Sequence, residues 1–395
     1  MLQAVILAAG RSTRTYPLTA TRPKPLLPVV DRPLLRYQLE QLAGWVDEVL
    51  LVVGYRKELI LQRFGDRFES PSLPPLPLVY VDQPTQRGTA DALREAAPRI
   101  RDRCLVLNGD DLYHRSDLQA LARLPAAILV CTVPDPQNRG VVTVRGDRIL
   151  QIVEKPDRAP QDALASVGAY VFSREDLTPL GDVQPSARGE LELPDLVERL
   201  ARGGRMGFHR VQRIWFPLTY AWDLLKVAFF LLDSDARARE MGIAIQSAEG
   251  LRNRADLALA PNAILEGPLV LGPGVRMDPG SRLRGPAVLG EASVIEAGAV
   301  VERSVLFPSV HVEADARVSD SVLGEGSRIR AGAVIPAVRG GTDEIRIEVK
   351  GVQVATGLNR LGLIAGDGAT VMPRATVPSG TILSPASTFP CPHPD

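Results

Sequence analysis

The residues whose types and spacing are best suited to chemistry lie near the start of the chain. They run Leu7-Ala8-Ala9-Gly10-Arg11-Ser12-Thr13-Arg14, then Pro17-Leu18-Thr19 and Arg22-Pro23-Lys24-Pro25. A glycine directly after an apolar run makes a tight turn whose backbone N–H groups can converge on phosphate oxygens. The proline-stiffened segment that follows can fold Lys24 back over the same phosphates. Lysine is scarce here: it stands only at Lys24, Lys57, Lys155, Lys226 and Lys350, and arginine supplies the rest of the 46 basic residues. A compact ammonium fits beside a phosphate where the planar guanidinium fork does not. Further on, Leu107-Asn108-Gly109-Asp110-Asp111 ends an apolar run in a carboxylate. Magnesium prefers one or two carboxylates plus substrate phosphates, so a carboxylate at that end suits such an ion. Asp111 reads as an outward residue at a helix start.

These groups need a scaffold, and the first half of the chain describes one. Short apolar runs at Gln3–Ala8, Glu48–Val53, Leu78–Val81, Cys104–Leu107 and Ala127–Val133 alternate with helical patterns at Pro33–Ala43 and Thr89–Ala97. That alternation predicts an α/β domain, a Rossmann-like, mostly parallel sheet covered by helices. Pro71–Pro77 reads as a loop before the third strand. After Pro134, strands at Val141–Val144, Ile149–Val153 and Val167–Phe172 and a helix near Pro194–Ala201 suggest a substrate-binding flap over the carboxyl ends of the parallel strands. A helix at Trp222–Asp233 closes the domain.

From Leu257 a six-residue period takes over. Leu259, Leu265, Leu271, Met277, Leu283, Leu289, Ile295 and Val301 follow at every sixth residue, then Leu306, Val312, Val318 and Leu323, Ile329, Ile335 after two slips. One inward aliphatic per six residues, with Gly, Pro and Ala between, is the hexapeptide repeat of a parallel β-helix in which three steps make one coil. An antiparallel sandwich would instead alternate every second residue. Arg339–Lys350 interrupts the coils, which resume at Val371, Val377 and Leu383. The expected organisation is a domain over residues 1–235, a linker over 236–256, a left-handed β-helix over 257–384 and a disordered tail over 385–395.

Bulk properties exclude several classes. Basic and acidic residues balance at 46 each, which argues against nucleic acid or a membrane surface reached by overall charge. The apolar runs are too short to span a bilayer and the N-terminal one lacks the shape of a secretory signal, so a cytoplasmic location is expected. Three cysteines and four histidines without ligand-like spacing give neither a disulfide framework nor a transition-metal site.

The opening segment, Leu7-Ala8-Ala9-Gly10-Arg11-Ser12-Thr13-Arg14 with Pro23-Lys24-Pro25, resembles the signature of sugar-1-phosphate nucleotidylyltransferases. By that resemblance Leu7, Ala8, Gly10, Ser12 and Thr13 hold the nucleotide, while Arg14 and Lys24 neutralise the triphosphate and the departing pyrophosphate. The family usually has glycine where Ser12 stands. The segment Gln83-Pro84-Thr85-Gln86-Arg87-Gly88-Thr89 resembles the family's base-reading loop, and an amide offers the donor and acceptor that a pyrimidine edge requires. Asp110 matches the family's magnesium ligand. Gly140, Glu154-Lys155-Pro156, Ser166-Val167-Gly168 and Gly189-Glu190-Leu191-Glu192 match its sugar motifs, with Ser166 in place of an asparagine. Glu154 can accept from sugar hydroxyls and Lys155 can pair with the sugar phosphate.

Two departures matter. The family's second metal carboxylate follows a tryptophan at the position of Pro217, while Asp223 reads as a helix-start residue. The β-helix resembles that of archaeal-type bifunctional enzymes with an acetyltransferase, but Ala314, Arg317 and Ala337 stand where the catalytic histidine, tyrosine and asparagine would be. Acetyl transfer is therefore not expected, and the β-helix reads as a trimerisation scaffold of a homo-oligomer. Two functions follow. One is an enzyme that joins a nucleoside triphosphate, UTP or dTTP favoured, to a sugar 1-phosphate with magnesium. The other is a nucleotide- or sugar-nucleotide-binding regulatory homologue with weakened catalysis. The intact Arg14, Lys24, Asp110, Glu154 and Lys155 favour the enzyme.

Overall fold

The computed structural model describes residues 1–71, 73–337 and 344–389. The chain divides into two compact units. One holds Met1–Arg11, Pro23–Leu26 and Leu34–Pro217, and the other holds Ser12–Arg22, Leu27–Pro33 and Leu218–Asp395. The division thus falls between Pro217 and Leu218, and two short segments near the N-terminus group with the C-terminal half.

In the first unit, Leu2–Leu7 lies between Glu48–Val53 and Arg103–Asn108, parallel to both, and Leu73–Asp82 follows parallel to Glu48–Val53. These strands are apolar on both faces because both faces are covered, so Val5 and Val52 enter one core cluster and Ile6 and Val53 the other. The helices Leu34–Leu42 and Thr89–Ala96 close those two clusters on opposite sides. Leu164–Ser173 runs antiparallel between Arg103–Asn108 and Ala127–Thr132. It also pairs with the hairpin Gly140–Arg145 and Arg148–Glu154. The strands expected as a separate flap are therefore part of one ten-stranded sheet.

The expected loop at Pro71–Pro77 is corrected. Pro71 lies in a turn and Ser72 lies outside the described residues, but the rest of that stretch enters the strand Leu73–Asp82, whose first half pairs with Arg67–Ser70 at the sheet's edge. An edge strand tolerates proline because an N–H facing away from the ladder is not needed. Asp111 is corrected too. It is buried in the short strand Asp111–Tyr113, antiparallel to Trp215–Pro217, and does not start a helix. The next helix begins at Arg115 and was not anticipated, nor was the helix Lys57–Phe64.

In the second unit the six-residue period becomes a parallel β-helix. Three sheets of seven, five and six strands stack with a coil step of 18 residues, as in the pairings Ala258 with Arg276 and Ile264 with Arg282. The step shortens to 17 between Leu289 and Leu306, which accounts for the slip at Leu306. Leu271, Leu283, Leu289, Ile295 and Val301 all point into one buried column. The described part of the 339–350 insertion belongs to the antiparallel hairpin Arg346–Val349 with Val352–Ala355, and residues 339–343 lie outside the description. Thr388–Phe389 pairs with Thr370–Val371, so the coils continue past the point where a disordered tail was expected. Residues 390–395, with Cys391, lie outside the described residues. Residues 236–256 contain the short helices Asp235–Glu240, in most part, and Ala248–Arg252. No helix among the described residues is long and apolar enough to cross a membrane.

Candidate nucleotide and sugar-phosphate site

Glycines without substitutes build the floor of the site in the first unit. A Cβ on Gly109 would stand 2.5 Å from the carbonyl oxygen of Leu7, so only glycine lets the turn after Asn108 cross the end of the first strand. The Gly109 N–H donates to that same carbonyl at 3.0 Å, which delivers Asp110 next to the loop that begins at Ala8. Lys24 Nζ lies 2.9 Å from Asp110 Oδ2; the lysine is only 3% exposed while the aspartate is 38% exposed. Leu7, Ala8 and Gly10 lead into this corner, and Gly10 faces open space, so nothing obstructs a phosphate there.

Ser12, Thr13 and Arg14 belong to the second unit. Ser12 adopts φ 51°, the left-handed conformation that favours glycine, and its carbonyl accepts from Thr15 N and Thr19 Oγ1, both at 3.0 Å. The serine therefore holds a left-handed backbone shape that glycine adopts without strain. Arg14 is exposed on the short 3₁₀ turn that follows. The far end of the same segment is clasped to the β-helix. Thr21 Oγ1 donates to Asp367 Oδ2 at 2.5 Å, and Arg22 Nη2 donates to Asp367 at 2.6 Å and to Glu325 at 2.8 Å. Arg22 also lies over the ring of Phe307.

A cleft of about 380 Å³ opens after the carboxyl ends of the central strands, lined by Arg11, Tyr55, Arg56, Lys57, Asp82 and Gln83 among others. Its size falls in the range of small-ligand sites. Gln83 is buried, and its Nε2 donates to Asp91 Oδ2 at 2.8 Å and to Gly88 O at 3.2 Å. The donor half of the amide is thereby spent inside the loop. Gly88 has φ 123°, and a Cβ on it would stand 2.3 Å from Leu191 O. Thr89 Oγ1 accepts from Leu193 N at 3.0 Å, so this hydroxyl ties the start of one helix to the start of another. The base-reading loop and the Gly189–Glu192 loop are in this way one packed piece.

The sugar-motif residues gather along the hairpin. Gly140 pairs with Glu154, and a Cβ on it would meet Glu154 Oε2 at 3.0 Å. Burial holds the Glu154 carboxyl above its ordinary range, with Lys155 and Arg188 pulling the other way. Lys155 and Arg188 each stand 3.7 Å from Glu154 Oε1. Ser166 is buried and its hydroxyl bonds Tyr170 OH at 3.3 Å. Gly168 must be glycine, since a Cβ would stand 2.0 Å from Asn108 Nδ2. Glu190 is exposed, whereas Glu192 is buried and accepts from Ser186 Oγ at 2.9 Å. Arg188 and Asp91 were missed in the sequence, where they sit between the motifs without a spacing of their own, while Asn108 and Glu192 lie within motifs but were given no role there.

Pro217 stands directly opposite Asp111 on the paired strand. Asp111 is pushed up to about 7, first by burial and then by Asp110; Tyr113 OH lies 3.2 Å from it. Asp223, given in the sequence as a helix-start residue, accepts from Thr219 N and Tyr220 N at 2.8 and 2.7 Å. Among the described residues no group of three or more His, Cys, Asp or Glu could hold a metal ion. The donors present suit a divalent metal that arrives on phosphates and takes a single accessible protein carboxylate, Asp110. They do not provide a two-carboxylate seat. On the β-helix, Ala314 N donates to Glu296 Oε2 at 2.9 Å, Arg317 is exposed, and Ala337 O accepts from Leu361 N. His311 pairs with Glu296 at 2.6 Å.

Residues 3–230 match the family described as nucleotidyl transferase, and residues 265–387 match the GMPPB C-terminal domain. The bifunctional protein GlmU of Methanococcus maripaludis is 33% identical over 226 residues, covering 57% of this chain and 53% of that protein. The chain thus spans about half the length of this curated relative. The UTP–glucose-1-phosphate uridylyltransferase AglF of Haloferax volcanii is 34% identical over 213 residues, 52% of this chain and 85% of that protein. The bifunctional sugar-1-phosphate nucleotidylyltransferase/acetyltransferase of Sulfurisphaera tokodaii is 27% identical over 374 residues, 92% of this chain and 90% of that protein.

Proposed function

This chain belongs to the nucleotidyl transferase family, and from that premise we propose that it joins a sugar 1-phosphate to a nucleoside triphosphate. The observation that carries the reading is the buried Lys24 held 2.9 Å from the accessible Asp110, at the corner where the glycine turn ends. An oxygen of the sugar phosphate attacks the α-phosphorus, the bond from that phosphorus to the β-bridging oxygen breaks, and its electron pair leaves with pyrophosphate. No covalent protein residue is needed, because position and charge supply the catalysis. Lys24 and, by resemblance, Arg14 neutralise the triphosphate, Gln83 and Gly88 meet the base, and Glu154 and Lys155 hold the sugar and its phosphate. Asp110 would hold a magnesium ion carried on the triphosphate, which would supply further neutralisation of charge. UTP or dTTP is the favoured nucleotide, in keeping with the UTP named for the Haloferax relative. The β-helix is assigned to trimerisation in the cytoplasm and not to acetyl transfer.

Pyrophosphate release over a grid of four triphosphates and several sugar phosphates, with magnesium, tests this. Turnover for one pair, lost in Asp110→Ala, is expected; no pair above that variant refutes the enzyme. A second reading rests on Pro217, where no second carboxylate stands: the site binds a nucleotide sugar and turns over slowly or not at all. Binding of UDP- or dTDP-glucose without turnover would select it. A monomer in sedimentation would refute the trimer.

A further inference from the structure

We propose that Arg139 is a phosphate-binding catalytic residue, and that its guanidinium receives the phosphate of the sugar 1-phosphate. The inference rests on the nucleotidylyl-transfer reading above and names a group that the sugar motifs pass over. Arg139 sits immediately before Gly140, and its carbonyl accepts from Lys155 N at 2.9 Å. It is therefore fixed at the mouth of the Gly140–Glu154 hairpin, next to the two residues assigned to the sugar and its phosphate. Its side chain reaches the other way. The guanidinium lies 4.8 Å from the ring centroid of Trp215, on the strand whose Pro217 opposes Asp111. Its charge is felt at Asp111, where it opposes the upward push of burial. One residue thus joins the sugar side of the site to the carboxylate side.

Arg139 is unlike its neighbours in what it does not bond. Lys24 pairs with Asp110, and Arg188 pairs with Glu192. Arg139, in electrostatic reach of a carboxylate, makes no ion pair among the described residues, and its Nε is buried without a hydrogen-bond partner. Arg22 and Arg94 also leave Nε unpartnered but spend Nη2 on protein acceptors, whereas Arg139 has no such acceptor among the described residues, and buried donors in folded proteins are nearly always satisfied. Stacking on an indole engages the face of the guanidinium and leaves its in-plane N–H groups free to donate. Those groups form the fork that matches two phosphate oxygens. The chemistry calls for such a group here. The sugar phosphate must approach an α-phosphate that is itself negative, beside Asp110 and Asp111, and position 217 offers no second carboxylate to anchor a metal between them. A fixed guanidinium supplies that charge without a metal ligand.

The test uses the full chain, with α-D-glucose 1-phosphate and inorganic phosphate as probes, and the variants Arg139→Ala, Arg139→Lys and Arg139→Ala/Asp111→Asn. Calorimetry without nucleotide reads phosphate binding, and steady-state rates with UTP and magnesium read KM and kcat. Loss of a charge-assisted donor pair predicts glucose 1-phosphate and phosphate binding weaker by about 10- to 100-fold in Arg139→Ala. KM for the sugar phosphate rises in step, UTP binding stays within about twofold, and free guanidinium restores part of the rate. Arg139→Lys keeps the stem and the charge, and guards against misfolding; it is expected to fall between. A merely structural arginine that balances Asp111 predicts something else: unchanged phosphate binding, or full restoration by adding Asp111→Asn. Either result overturns the proposal, as does a wild-type chain that binds neither probe. If wild type binds phosphate but turns over no substrate pair, the enzyme reading fails alone, and loss of binding in Arg139→Ala still upholds this assignment.

Discussion

Replacing Asp111 with asparagine should stabilise the metal-free protein at neutral pH and leave it unchanged in acid. The carboxyl is buried, faces Asp110, and is pushed up to about 7 from an ordinary 3.8. In the folded chain it keeps its proton to near neutrality, while in the unfolded chain it loses the proton near pH 4. Between those limits the unfolded state binds fewer protons, so stability falls as pH rises. The group's contribution is whole below pH 4 and lost above about 7. At about 1.36 kcal/mol per pH unit the loss is on the order of 4 kcal/mol. Asparagine keeps the shape and can still meet Tyr113 OH, so at pH 8 the variant should recover about 2–4 kcal/mol, and at pH 4 within about 0.5. Urea unfolding of the chelator-treated protein at the two pH values measures both. A variant less stable than wild type at pH 8, or a gain of equal size at both, would refute the account. The first outcome would mean that the cations Lys24 and Arg139 hold Asp111 charged.

Three further outcomes follow from particular contacts. Gly168→Ala puts a Cβ 2.0 Å from Asn108 Nδ2 at φ 74°, and should cost about 3 kcal/mol or more in urea unfolding, whereas Gly10→Ala, with open space around it, should cost under about 1. Asp367→Asn weakens the clasp on Thr21 and Arg22, so amides of residues 12–22 should exchange about 10-fold faster with the β-helix melting unchanged, and equal protection would show that the clasp does not hold the segment. Pro217→Asp sets a third carboxylate opposite Asp111, and should lower stability without metal while raising pyrophosphate release at high magnesium; unchanged release would count against position 217 as the missing ligand.

How much of this was legible depended on the range over which each feature is determined. The β-helix was readable coil by coil because every six-residue step repeats the same local requirement, one inward aliphatic, and even the 17-residue coil announced itself as a slip before Leu306. Asp110 and Glu154 could be located from the sequence because each stands at or just after the end of an apolar run that forms a strand, whereas Lys24 lies on the short turn Lys24–Leu26 and was singled out by its motif alone. The misread stretch at Pro71–Pro77 fails for a reason outside the stretch: proline forbids a central strand but not an edge, and nothing local says which it is. Asp111 was misjudged in the same way, since its burial comes from Trp215–Pro217, far along the chain.

Arg139 and the Arg22–Asp367 clasp mark the limit of such reading, and they do so for one physical reason. An arginine is informative only through its partners, and a guanidinium reaches far enough that those partners need share no local pattern with it. Arg22 finds Asp367 and Glu325 on successive coils, so the segment carrying Arg14 is held by residues that no motif at the N-terminus could name. Arg139 finds an aromatic face and, among the described residues, no ion-pair partner. A nucleotide-sugar site needs fixed positive charge only where phosphate will sit, and a half-buried guanidinium with no acceptor among the described residues is costly unless a substrate completes it. The paired Arg22 is therefore read as architecture, and the unpaired Arg139 as the proposed seat of the sugar phosphate.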